Sequence, residues 1–108
     1  MHPVPVRLVD PTAAASGDNT LYTPSEQHRA LLQTVTMLNT AASKVTVKVG
    51  INSTANASLV FPSVGIPAGG MVERDTKRYL TDADSLLLNC SATGVTVTVD
   101  GIDFYPRV

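Results

Sequence analysis

Tryptophan is absent, cysteine occurs once and histidine twice in 108 residues. Each scarcity removes a class of chemistry. With Cys90 alone no intramolecular disulfide can form, so the core of a small domain must suffice by itself or be completed by association between chains. With His2 and His28 as the only histidines, one chain cannot assemble a zinc site of the usual Cys/His kind. Aromatic residues amount to 5%, which leaves little with which to stack sugars. Charge of either sign is sparse too: 8 Lys+Arg stand against 9 Asp+Glu, a formal net charge of −1. Without a cation excess there is nothing to collect the phosphate contacts that dominate nucleic-acid affinity, and nucleic acid is not expected as a partner. No apolar run approaches the roughly 20 residues that span a bilayer, so a membrane is not expected either. The first residues, interrupted by Pro3, Pro5 and Pro11, lack the basic-then-apolar layout of a secretory signal, and cytoplasmic synthesis is the expectation.

What remains is a chain that is 44% hydrophobic and 16% charged, a balance that folds into one ordinary domain rather than staying disordered. Residues 1–19 hold the three prolines, an Ala13-Ala14-Ala15 run and Ser16-Gly17-Asp18. That composition resists helix and ladder alike and reads as an extended N-terminal arm. Residues 20–108 read as a single domain of strand-like runs separated by turn signals. In Lys44 to Val49 a strict period of two puts Val45, Val47, Val49 and Ile51 on one face and Lys44, Thr46 and Lys48 on the other. Val95 to Asp100 repeats the pattern, and Leu86, Leu88 and Cys90 alternate with Leu87, Asn89 and Ser91. Thr93-Gly94 then reads as the turn of a hairpin between these last two runs. Thr23-Pro24-Ser25-Glu26 has the form of a helix start, but the β-branched run after it assigns about Arg29 to Asn39 to a strand. Weaker strand candidates are Leu21 to Thr23, Leu59 to Phe61, Met71 to Arg74 and Lys77 to Leu80, with a turn over Gly65 to Gly70. The fold class that results is all-β: a compact antiparallel sandwich, jelly-roll-like or Ig-like.

Candidate sites are few. Asp82-Ala83-Asp84 opens like a calcium loop but lacks the glycine and closing glutamate that complete one, and reads as a turn. Cys90 alternates with Leu86 and Leu88, which points to burial rather than reactivity. No Gly-x-Ser-x-Gly elbow and no phosphate-binding glycine loop occurs. No catalytic residue, metal or cofactor is therefore assigned, and enzymatic activity is not expected. The densest charge, Glu73-Arg74-Asp75-Thr76-Lys77-Arg78, is either a solvated strand end or the rim of an interface. The candidate interface residues are Glu73, Arg74, Lys77 and Arg78 from this cluster, and Pro3, Pro5, Arg7 and Pro11 from the arm.

Over about Leu21 to Phe104 the order of features resembles a family of small tailed-phage virion proteins. The resemblance rests on Leu21-Tyr22-Thr23-Pro24, a strand ending in Leu38-Asn39-Thr40, and the Val45 to Val49 strand. It continues through the turn at Ile66-Pro67-Ala68-Gly69, the aspartate-bearing turn from Leu80 to Ser85 before Leu86-Leu87-Leu88, and the closing Gly94 to Val99 strand before Gly101. It implies a structural protein of the virion, foremost a capsid decoration (cement) protein that binds the major capsid protein and itself, as a homo-oligomer such as a trimer. A tail, neck or fibre-base protein of the same fold is the alternative, and a ligand- or carbohydrate-binding sandwich a third. The resemblance carries no catalytic residue.

Overall fold

In a computed structural model, residues 4–55 and 58–104 are described. Their order is β1 (Val4–Ala13), β2 (Gly17–Tyr22), β3 (Arg29–Asn39), β4 (Val45–Ile51), β5 (Val64–Ile66), β6 (Met71–Thr81), β7 (Leu86–Cys90) and β8 (Val95–Phe104). The strands form two antiparallel four-stranded sheets, β1-β8-β3-β6 and β2-β7-β4-β5. The chain changes sheet at every connection except β4 to β5, which is the eight-stranded jelly-roll connectivity. The all-β sandwich expected from alternation is the one observed, and of its two forms it is the jelly roll.

The alternation works as elementary strand geometry requires. Val45, Val47 and Val49 of β4 lie beside Leu86, Leu88 and Cys90 of the neighbouring β7, and together with the opposing Val35, Met37, Val97 and Val99 they form one buried cluster. Each such side chain contributes about 1.5–3 kcal/mol when fully buried. One buried polar residue joins the layers. Asn39, at the end of β3, donates from Nδ2 to the carbonyls of Ser43 (2.8 Å) and Ile66 (2.9 Å), while its Oδ1 accepts from Ala41 N (2.9 Å). A side chain of the first sheet thereby satisfies backbone of the second and of the connection between them.

The hairpin and the arm need correction, and the helix signal set aside for a strand at Arg29 has its own explanation. Thr93-Gly94 closes no hairpin: β7 pairs with β2 and β4, whereas β8 pairs with β1 and β3. The turn carries the chain across the sandwich. The segment read as an arm is built into the sheets, since Val4–Ala13 pairs antiparallel with β8 and Gly17–Tyr22 with β7. Pro5 and Pro11 are accommodated because β1 is an edge strand, where a missing N–H breaks no ladder, and two register shifts interrupt its pairing. Finally, the helix signal after Thr23 ends in a turn. His28 N donates to Ser25 O (2.8 Å) and Gln27 adopts φ 66°, a left-handed conformation that stops a helix. Met71 to Arg74 and Lys77 to Leu80 merge into one strand, β6, and Leu59 makes only an isolated bridge to Gly50.

Candidate functional site

The two groups of candidate interface residues lie on opposite edges of one sheet. Arg7 and Pro11 are exposed on β1, and Glu73, Arg74, Lys77 and Arg78 are exposed on β6. Pro5 belongs to β1 by its backbone, and Pro3 falls outside the described residues. The structure therefore separates them across the width of the sheet. Both edges are guarded against ladder addition, one by prolines and the other by charge. Arg74 and Arg78 stand in register with the buried Val35 and Leu32, so they occupy core-facing positions of an edge strand while remaining exposed.

Between these edges the sheet is distorted along one line. Over a single step of β8, from Gly101 to Asp100, β3 takes two residues (Leu32 to Thr34) and β6 takes three (Arg78 to Asp75). On the far side β1 shifts register between Arg7 and Val9. Extra residues bend a strand and re-aim its side chains. A Cβ placed on Gly101 would run into the Leu31 carbonyl oxygen, so the line tolerates only glycine there.

The distortion opens a groove on the outer face. A section of about 580 Å³ is lined by Leu31, Gln33, Thr34, Asp75, Lys77 and Tyr79, among others. A second, of about 330 Å³, is lined by Arg7, Asp100, Gly101 and again Gln33. Thr34 Oγ1 donates to Asp75 Oδ1 (3.2 Å) and aims that carboxylate. Tyr79 is 55% exposed. Behind it the Arg29 guanidinium lies 4.7 Å from the Tyr79 ring centre and 5.3 Å from that of Phe104, a cation–π arrangement that holds the phenol ring in place. Beside the groove the Thr76 hydroxyl is buried and has no hydrogen-bond partner among the described residues. The sequence pointed to Lys77 and Arg7 and placed Asp75 in the charge cluster beside them, but gave no role to Gln33 or Tyr79. The available signal was Gln33-Thr34, two polar residues in succession between the buried Leu32 and Val35, which marks a bulge.

The remaining titratable groups serve the frame. At one end His28 Nδ1 lies 3.0 Å and 3.1 Å from the two Asp103 carboxylate oxygens, joining the approach to β3 to the end of β8. Burial, and then the Asp103 charge, raise the Tyr22 phenol above its ordinary value. In the turn before β7, Asp84 accepts from Thr81 N (3.0 Å) and from Asn52 Nδ2 (2.9 Å). These donors hold its carboxyl below the usual range, so its oxygens close the turn. Burial pushes the Cys90 thiol up, away from the thiolate that nucleophilic or metal chemistry needs. No group of three or more metal-ligating side chains occurs among the described residues.

No family model matches the chain, and no curated protein matches it. Among solved structures it is similar to a protein of Bacillus endospore appendages, described as a novel family of disulfide-linked pili. The TM-score is 0.57 at 13% identity, covering 94% of this chain and 87% of that one. That likeness shows the shared fold. A pentameric capsid protein from metagenomic phage sequences aligns at a TM-score of 0.31 and 11% identity, over 86% of this chain and 58% of that one, too low to carry an argument.

Proposed function

We propose that this chain is a structural subunit of a tailed-phage particle that acts by tiling, foremost as a capsid decoration protein seated on the major capsid protein. The observation that supports this most is the placement of two dissimilar, ladder-guarded, polar edges on opposite sides of one sheet. Unlike edges that meet head to tail generate rings where the rotation closes. Many weak contacts of that kind add up to firm retention. The phage-family resemblance of residues 21–104 supplies the particle.

The test has two parts. Light scattering on the purified protein should give a closed oligomer, such as a trimer, that Arg74→Glu with Arg78→Glu reduces to monomer. Quantitation of particle proteins should give hundreds of copies; about a dozen would move the protein to the tail or neck. A monomer at every concentration, absent from particles, overturns the reading.

A fibre subunit is the second reading, favoured by the fold shared with the endospore appendage protein. The single cysteine is buried in the core cluster beside Val47, so covalent linkage through it would require opening the core. Filaments in micrographs of the concentrated protein would decide for this reading.

A further inference from the structure

The bulge-line groove has a composition that neither edge shares. Its two sections each have one carboxylate and one cation in their lining, Asp75 with Lys77 and Asp100 with Arg7, and Arg7 also lies 3.7 Å from Asp10, so neither section carries charge of a single sign. Gln33 lines both and offers an amide that donates and accepts. The half-exposed Tyr79 stands at one end with its ring braced from behind, and Leu31 provides an apolar patch beside it. Together the two sections, which share Gln33, touch β6, β3, β8 and β1, a span of about 14 Å at ordinary strand spacing.

This geometry selects among ligands. A peptide laid on this face finds most of the backbone beneath it paired in the ladder, with only the bulge residues Gln33, Thr76 and Lys77 outside it, so most of its own N–H and C=O groups would go unmet. An anion or cation would meet, beside the attracting group, a repelling charge of its own sign in either section. A neutral chain of hydroxyl-bearing rings meets neither obstacle. Its hydroxyls match carboxylate, amide and ammonium groups, and the apolar face of a ring matches Tyr79 and Leu31. We propose that this groove is a binding site for a neutral oligosaccharide. The sparsity of aromatics in the whole chain argued against sugar binding, but one exposed ring with a guanidinium against it is enough for a weak subsite. Repetition of that subsite over an assembled surface would raise its avidity without any new contact.

The test uses the isotope-labelled, purified protein titrated separately with neutral gluco- and chito-oligosaccharides, an acidic uronic-acid oligomer and an extended neutral peptide, followed by amide NMR. At least one neutral oligosaccharide should move the Gln33, Lys77 and Tyr79 signals with a dissociation constant on the order of 1 mM. Tyr79→Ala and Asp75→Asn should each weaken it about tenfold or more. Tyr79→Phe should retain most of the affinity, and Arg74→Glu, on the edge, should retain all of it. The peptide and the acidic oligomer should leave these signals in place. No movement with any neutral probe, equal binding of the peptide or the acidic oligomer, or affinity indifferent to Tyr79→Ala overturns the assignment. Particle copy number and oligomeric state do not enter this measurement, so its failure leaves the tiling reading standing.

Discussion

The first sheet is built from strands of 10 and 11 residues, and the second from strands of 3 to 7. Both obey the same inward alternation, yet they treat their outer faces in opposite ways. In the second sheet the connection after β4 folds back over the face. A Cβ at the outward-facing Gly50 would collide with the Ser53 carbonyl oxygen, and Thr54 Oγ1 reaches across to donate to Asp18 (3.0 Å). Among the described residues no such segment intervenes over the first sheet, and the bulge line, the groove and the Tyr79 ring stand uncovered by them. Packing decides the inner faces of both, whereas the outer faces differ because one sheet has a long connection to cover it and the other has length and distortion instead.

The largest effects should come where the sheets are alike. Leu32→Ala in the first sheet and Leu88→Ala in the second each remove a fully buried side chain and should each cost about 2–5 kcal/mol in chemical denaturation. A loss confined to one of the two would break the picture of a single shared core. Next comes the residue that joins the layers. Asn39→Ala strands the Ser43 and Ile66 carbonyls and the Ala41 N–H, for an expected loss of about 1–3 kcal/mol. If the sheets were held together by apolar contact alone, this variant would unfold at the wild-type midpoint.

A smaller effect separates the sheets by pH. Asp84 lies in the turn that leads into the second sheet, and its carboxyl is held below the ordinary value by Thr81 N and Asn52. A carboxyl lowered by folding stabilises fully above its unfolded value of about 3.9 and loses that contribution as pH falls through its folded value. Denaturation midpoints should therefore decline in acid, and Asp84→Asn should flatten part of that decline. A variant that tracks the wild type from neutrality down to strong acid would contradict the assignment. The smallest effect concerns Thr76 beside the groove. Replacing its unpartnered hydroxyl by Thr76→Val removes an unmet polar group of the first sheet, and stability should be unchanged or rise by up to about 1 kcal/mol. A loss beyond 1 kcal/mol would reveal a partner for that hydroxyl.

Legibility in the sequence followed the same division. Arg29–Asn39 was readable as a strand because Thr34-Val35-Thr36 is β-branched and begins an alternation that Met37 continues, and Val45–Ile51 and Val95–Asp100 because one face of each is all aliphatic. The edge strands were not. Prolines exclude a central strand but are neutral about an edge, so β1 looked like an arm. Turn residues such as Thr93-Gly94 dictate local dihedral angles and say nothing about which sheet the following strand joins, which is why a crossover passed for a hairpin. The candidate interface residues were named one by one, but their division between opposite edges depends on strand order, and that is set by contacts far apart in the chain.

The pairing of β1 with β8 has a kinetic consequence. The partner of Val4–Ala13 is Val95–Phe104, so the ladder that completes the first sheet joins segments separated by nearly the whole chain. Such long-range pairings are slow to form. Until they do, β1 is a strand awaiting its complement and β8 has one side open, an interval in which the same residues of a neighbouring copy are equally acceptable. Pro5, Pro11 and the two register shifts make that exchange less favourable, so that each chain is steered towards completing its own sandwich.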